Sequence, residues 1–327
     1  MKAIVVEKPG APDVLQIKEI PTPTVKPDWV LVRVQAFGLN RSEMFTRQGH
    51  SGDAVPFPRV LGIECVGEVA DPSDSGLAVR QKVVALMGFM GRQYDGGYAE
   101  YALLPATQII PIQSTLSWVE LGAIPETFVT AYGSLETLAL QPGQSLLIRG
   151  GTSSVGMAAT TIAKDIRVTV LATTRQGAKR QALLDNGVDH VLIDDGRLTS
   201  AVRTLFPQGV DAVLELVGQP TLPDSVACLK RGGIICQTGL LGNQWDYWVT
   251  EMPDAPDTIR RATFNSETVN AANSGEMLQM IVERVESGRY RLNLDRIFRF
   301  DEIIEAHRFM EESRAQGKLV VVVDEEG

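Results

Sequence analysis

Cysteine is scarce: Cys65, Cys228 and Cys236 are the only three among 327 residues. They stand far apart with no C-x-x-C spacing, which excludes a disulfide framework and a structural zinc lobe and makes them small buried apolar residues. Basic charge is lacking too. A net charge of -9 argues against nucleic acid or an anionic membrane as the main partner, because both reward a basic face. No apolar run reaches membrane-spanning length, and Met1-Lys2 leads straight into the strand-like Ala3-Ile4-Val5-Val6, too short for a signal-peptide core. The expectation is a cytoplasmic protein.

What is present suits a folded enzyme. Hydrophobic residues make up 44% and the mean hydropathy is +0.01, as in an ordinary globular chain long enough for two cores. Residues 1 to about 122 alternate short β-type runs with Pro/Gly turns, and no sustained helical period precedes Trp118 to Leu121. From there to about Glu267 strands alternate with helical segments. Leu146 to Ile148, Val168 to Ala172, His190 to Ile193, Ala212 to Leu216 and Ile234 to Thr238 are the buried-strand candidates of a parallel doubly wound sheet. A helix (Met277 to Val285) and the strand Leu319 to Val323 follow, and this tail is assigned back to the first domain.

The middle of the chain is organised by Leu-Leu-Ile-Arg-Gly-Gly-Thr-Ser-Ser-Val-Gly, from Leu146 to Gly156. A buried-strand run is broken by Gly150 and Gly151, and a helix-like segment follows at once, as in the first strand-turn-helix of a dinucleotide-binding unit. Gly151, Thr152, Ser153, Ser154, Val155 and Gly156 are the candidate pyrophosphate cradle, with the free N–H groups of the helix start as donors. Ser153 stands where the middle glycine of G-x-G-x-x-G belongs, and its hydroxyl can donate to a phosphate oxygen. An ordinary tight turn explains the same residues equally well.

The next strand tips the reading. Where NAD-specific folds carry an acidic residue for the ribose hydroxyls, this chain has Thr173, Thr174 and Arg175, with Lys179 one turn on. These residues accept a 2′-phosphate, which points to NADPH rather than NADH; solvated helix-start side chains are the plainer alternative. Two more strand ends, Val217-Gly218 and Gly239-Leu240-Leu241-Gly242, leave room for a ribose and a nicotinamide ring, or are simply turns.

Taken together the chain resembles the medium-chain dehydrogenase/reductase superfamily, and within it the zinc-free quinone-oxidoreductase-like branch. The resemblance runs through Lys2-Ala3-Ile4-Val5-Val6, Val30-Leu31-Val32-Arg33-Val34, Gly38-Leu39-Asn40-Arg41-Ser42-Glu43, Gly62-Ile63-Glu64, Gly96-Gly97-Tyr98-Ala99-Glu100-Tyr101, Thr130-Ala131-Tyr132-Gly133, the glycine loop, and Ala306-His307 through Gly317-Lys318-Leu319-Val320. It implies an α/β protein: a GroES-like, mostly-β catalytic domain from residues 1–122 and 268–327, and a Rossmann-type NADPH domain from 123–267. It also implies a homodimer. The zinc-ligand positions of the zinc-dependent members look like Asn40, Ile63 and Glu126 here, so neither thiolate nor imidazole remains. An all-oxygen cation site from Asn40, Glu64 and Glu126 is disfavoured, since one amide and two carboxylates from distant segments seldom converge.

Without a Lewis acid, hydride transfer favours acceptors that are already electron-poor: a quinone or an α,β-unsaturated carbonyl, including an enoyl thioester. A nucleotide-binding protein with little turnover is the reading from another class. Asn40 is the candidate donor to the developing oxyanion, or else a turn-capping Asn. Arg47, resembling a family arginine, either meets substrate or pairs with Glu43 on a short helix. Phe45 stands where many relatives carry a tyrosine; it can stack on an aromatic acceptor but cannot donate a proton, and Tyr94 is either its substitute or a plain surface tyrosine. Thr127 matches a position beside the nicotinamide, where its hydroxyl bonds the carboxamide or, more plainly, its own backbone. The stretch Asn243 to Thr258, with Trp245, Tyr247 and Trp248, departs most from the family pattern, and a dimer interface is favoured over a lid for its aromatics.

Overall fold

The computed structural model describes residues 1–244, 246–252 and 256–323. The chain divides into two compact units. The first takes Met1–Val129, Ser266–Gly288 and Leu294–Gly327, the second Thr130–Asn265 and Arg289–Asn293. The boundary after Val129 falls inside a helix, past the 122 expected from sequence.

In the first unit the strands are β1 (Lys2–Val6), β2 (Leu15–Glu19), β3 (Trp29–Gly38), β4 (Arg59–Val60), β5 (Glu64–Asp71), β6 (Lys82–Leu86), β7 (Tyr101–Pro105) and β8 (Ile109–Pro111). The second contributes β9 (Ser145–Arg149), β10 (Thr169–Thr174), β11 (His190–Ile193), β12 (Val210–Glu215), β13 (Leu229–Gln237) and β14 (Arg260–Thr263). Then β15 (Leu294–Arg299) and β16 (Lys318–Val322) return to the first. Its main sheet runs β15-β16-β3-β5-β6-β8, with β7 on β3, beside a smaller β2-β1-β4 sheet. The centre is β3, ten residues long, antiparallel to β5, β7 and β16. Its alternate residues Val30, Val32 and Val34 face a core shared with Phe37, Tyr98 and Phe298.

Helix α1 (Arg41–Gln48) interrupts the β pattern before Trp118 and is the short helix on which Glu43 and Arg47 were expected to lie. Eight residues are too few to display a period. Its termini are nevertheless written in the sequence: Asn40 and Glu43 form a capping box, and Gly49 closes the helix at φ 91°. Helices α2 (Trp118–Gly122) and α3 (Pro125–Leu138) follow.

The second unit has a six-stranded parallel sheet in the order β11-β10-β9-β12-β13-β14, a doubly wound arrangement. Leu146, Leu147 and Ile148 are fully buried, as expected for a parallel strand covered on both faces. Around it lie α4 (Ser154–Asp165), α5 (Arg180–Asp185), α6 (Thr199–Leu205) and α7 (Leu222–Ala227). The sixth strand, β14, has no counterpart among the five expected. Its Arg260-Arg261 start is exposed, so as an edge strand it lacks an apolar signature. Helix α8 (Ala271–Glu286) buries Leu278, Ile281, Val282 and Val285 at helical spacing, and α9 (Ile303–Glu311) packs in the first unit. Among the described residues no helix is long and apolar enough to cross a membrane.

Candidate functional site

In the first unit a polar cluster is buried at the start of α1. Lys318, the first residue of β16, donates to Asn40 Oδ1 and to Glu64 Oε1, both at 2.6 Å. Asn40 Nδ2 donates to Glu64 Oε1 at 2.8 Å and to Glu43 Oε1 at 3.4 Å. The backbone closes the group: Glu43 accepts from the N–H of Asn40 (2.6 Å) and Ile63 (3.0 Å), and Glu64 accepts from that of Glu126 (2.8 Å). Glu64, Glu43 and Lys318 are 0%, 1% and 2% exposed. Burial pushes the Glu43 carboxyl up to about 8 against hydrogen bonds and Lys318, which act the other way. Gly38 makes room for this packing, since a Cβ there would lie 2.3 Å from Glu64 Oε1 and 2.4 Å from Lys318 Cε.

Segments around Asn40, Ile63 and Glu126 therefore do converge, and a cation is present at their meeting point. It belongs to the chain itself. With Lys318 held by Asn40 Oδ1 and Glu64 Oε1, and with no thiolate or imidazole in the group, the donor set does not fit zinc. Among the described residues no three His, Cys, Asp or Glu side chains are grouped to hold a metal. Lys318 was not singled out from sequence. A lysine opening the apolar run Leu319-Val320-Val321-Val322 was the available signal, because a strand buried on both sides admits a charge only with a partner.

Several expected roles are corrected by these contacts. Asn40 is the N-cap of α1, and both of its amide hydrogens point at carboxyl groups, which leaves neither for a substrate oxyanion. Arg47 is fully buried on Gly10 O (2.7 Å) and Glu311, so it reaches neither Glu43 nor substrate. Phe45 is 7% exposed, lies in the core and stacks on His50, rather than offering a face to an acceptor. Tyr94 donates its phenolic hydrogen to Gly88 O at 2.7 Å and packs edge-on to Trp29, so here that hydrogen is engaged by the backbone. Thr127 departs from its plainer reading in the other direction. Its hydroxyl is buried with no hydrogen-bond partner, not bonded to its own backbone.

In the second unit the glycine loop joins β9 to α4. Ser153 caps α4: its hydroxyl accepts from Gly156 N–H (3.1 Å) and donates to Gly150 O (2.8 Å). Its single hydrogen is thus spent on the loop and not on a phosphate. The N–H groups of Ser154 and Val155, in the first turn, have no intrahelical acceptor and carry the positive end of the helix dipole. Gly151 and Gly156 let loop, helix and sheet approach closely. A Cβ on Gly156 would meet Gly150 O at 2.6 Å, and one on Gly151 would meet the Ala172 Cβ at 2.8 Å. Thr152 completes the loop.

At the end of β10, the Thr174 hydroxyl is used in a local turn with Gln176, and Arg175 is exposed with no ion pair among the described residues. Lys179 is not a solvated helix-start residue, being 7% exposed. Val217 and Gly218 are held by Glu215, whose Oε1 accepts from their N–H groups at 2.8 and 3.0 Å. Gly239 lies tight against Leu216, and Leu240 and Leu241 follow at the same sheet edge. The segment after them is anchored to its own unit at several points. Val249 is fully buried in the core, Tyr247 packs on that core, and Gln219 and Asp246 exchange bonds at 3.1 Å. Trp245 lies outside the described residues.

A doubly wound sheet with a glycine loop, together with a second sheet-rich unit, is the architecture of a class of oxidoreductases. Comparison with known proteins agrees. The zinc-binding dehydrogenase family profile matches residues 186–321 and the alcohol dehydrogenase GroES-like domain matches 26–114. The quinone oxidoreductase of Lama guanicoe is 24% identical over 99% of this chain and 98% of its own. The solved structure of the quinone oxidoreductase from Coxiella burnetii superposes with a TM-score of 0.85 at 27% identity, covering 99% of each chain. A lovastatin diketide synthase of Aspergillus terreus is 30% identical over 97% of this chain, which spans only 13% of that protein. The chain thus carries an alcohol dehydrogenase GroES-like domain and a zinc-binding dehydrogenase domain, and it is similar over its whole length to quinone oxidoreductases.

Proposed function

We propose that the protein is an NADPH-dependent reductase that passes hydride to a quinone or an α,β-unsaturated carbonyl compound without zinc. The observation that carries this reading is the nucleotide edge of the second unit. There the α4 N-terminus offers the Ser154 and Val155 N–H groups, and the neighbouring strand ends in Thr173-Thr174-Arg175 with an exposed, unpaired guanidinium and no carboxylate. The first turn of α4 holds the pyrophosphate, Arg175 and Lys179 meet the 2′-phosphate, and Val217, Gly218, Gly239, Leu240 and Leu241 border the ribose and ring. When bound, the dihydronicotinamide supplies the hydride.

In the first unit Lys318, Glu64 and Asn40 form an internally balanced group in place of a metal. No carbonyl is polarised by a Lewis acid on this reading, so the acceptor must carry its own electron deficiency. Phe45 has no acidic hydrogen and that of Tyr94 is engaged, so the final proton comes from solvent. Reduction of an enone or enoyl thioester is the second reading, favoured by the similarity of nearly the whole of this chain to a short part of diketide and polyketide synthases. The same proposal includes a cytoplasmic homodimer, which sedimentation and cell fractionation test.

The deciding experiment follows NADPH absorbance with a benzoquinone, a polycyclic ortho-quinone, a 2-enal, a cyclic enone and an enoyl thioester. Turnover of quinones alone supports the first reading, and turnover of enones or thioesters alone replaces it with the second. Tight NADPH binding with no turnover leaves a nucleotide-binding protein.

A further inference from the structure

Arg149 is the last residue of β9, immediately before Gly150, and its side chain is fully buried. Its Nε and Nη2 make a two-pronged contact with Asp194, each at 2.9 Å. Nη1 donates to Asp224 Oδ2 at 2.8 Å, Ser225 Oγ at 3.0 Å and Thr221 O at 3.2 Å. Ser225 passes its own hydroxyl hydrogen to Glu215, whose other oxygen holds the N–H groups of Val217 and Gly218. One guanidinium thus ties together the carboxyl ends of β9, β11 and β12, where ligands of doubly wound sheets bind.

The charge balance is unusual for a surface meant to receive an anion. Asp194, Asp224 and Glu215 all face this single cation, and the Asp194 and Glu215 side chains are almost inaccessible to water. Asp194 also stands beside the proposed 2′-phosphate subsite, because its N–H donates to the carbonyl of Thr174, the residue before Arg175. Left unpaired, its carboxylate would repel that phosphate and compete for Arg175.

We propose that Arg149 is a charge-compensating positioning residue of the nucleotide site: by masking Asp194 and Asp224 it lets this sheet edge accept NADPH. The inference rests on the cofactor reading above and adds a determinant of phosphate tolerance that does not touch the ligand. One uncompensated charge on the order of 10 Å from a phosphate, at an effective dielectric constant of about 20, changes a dissociation constant by roughly tenfold.

The test is fluorescence titration of NADPH and NADH into the full chain, with thermal unfolding recorded for each variant. Arg149→Met should weaken NADPH about tenfold or more and NADH clearly less, with the gap shrinking in high salt. Arg149→Met combined with Asp194→Asn and Asp224→Asn removes the two carboxylates that Arg149 pairs with directly together with the cation, leaving Glu215 to Ser225 and its backbone N–H partners, and should return NADPH affinity to within about threefold of wild type. That combination also serves if the single variant does not fold. Unchanged affinity in a folded Arg149→Met, or equal losses in the single and combined variants, overturns the proposal. Wild-type protein that binds neither nucleotide overturns the cofactor reading itself, and this inference with it.

Discussion

Replacing Lys318 by Met tests whether the buried cluster behaves as an ion pair. The substitution removes an ammonium that lies 2.6 Å from both Glu64 Oε1 and Asn40 Oδ1, in a place where neither Lys318 nor Glu64 is more than 2% exposed. Removing one partner of a buried pair costs about 3–5 kcal/mol, because the survivor is left charged and dry. Glu64 keeps the Asn40 Nδ2 and Glu126 N–H bonds, both 2.8 Å, which puts the expected loss near the lower end, about 3 kcal/mol. In the double variant Lys318→Met/Glu64→Gln no charge remains and an amide oxygen still accepts from Asn40. Its loss should be only about 1 kcal/mol, so that neutralising Glu64 in the Lys318→Met background recovers about 2 kcal/mol. Hydrogen exchange of peptides from β3 and β5 in rising urea reads this in the first unit alone. A double variant no more stable than the single refutes the ion-pair account.

Gly38→Ala should be as damaging as Lys318→Met, since its Cβ would overlap both Glu64 and Lys318; a urea midpoint equal to wild type would contradict the packing. Glu43→Gln tests a pH dependence. With a folded value of about 8 against 4.5, the folded state keeps a proton that the unfolded chain releases, so stability present below about pH 4.5 is lost as pH rises toward 8, by up to about 5 kcal/mol. The variant should flatten that decline, and parallel curves for the two proteins would dismiss the raised carboxyl. Arg175→Asp should weaken NADPH far more than NADH in a binding titration; equal losses would remove Arg175 from the 2′-phosphate subsite. Elemental analysis of purified protein should find well under one zinc per chain, and a stoichiometric signal would reverse the reading of Asn40, Ile63 and Glu126.

The architecture was legible because its signals are local. Leu146 to Ile148 followed by Gly150-Gly151 announces a parallel strand and tight turn, and the spacing of Leu278, Ile281, Val282 and Val285 announces a helix face. Individual side-chain roles were less legible, since a hydrogen bond depends on what a second segment brings. Nothing near Asn40 reveals that Lys318 will take its carbonyl oxygen, or that Glu43 and Glu64 will take its amide hydrogens. The partners of Arg47 and Tyr94, namely Glu311, Gly10 O and Gly88 O, were out of reach of sequence reading for the same reason. The β14 edge strand escaped because exposure erases the apolar pattern on which strand recognition depends.

The place of β16 between β15 and β3 has a consequence for how the protein is made. Asn40 and Lys318 are 278 positions apart, so at about 5–20 residues per second a ribosome adds the lysine on the order of 15–60 s after the asparagine. Until then Glu64 lacks this counter-charge and one edge of β3 is unpaired, and by the end of that interval the residues of the parallel sheet have already been synthesised. The order of synthesis therefore favours the second unit maturing first, with the amino-terminal strands waiting as a chaperone-accessible intermediate until the last strand arrives.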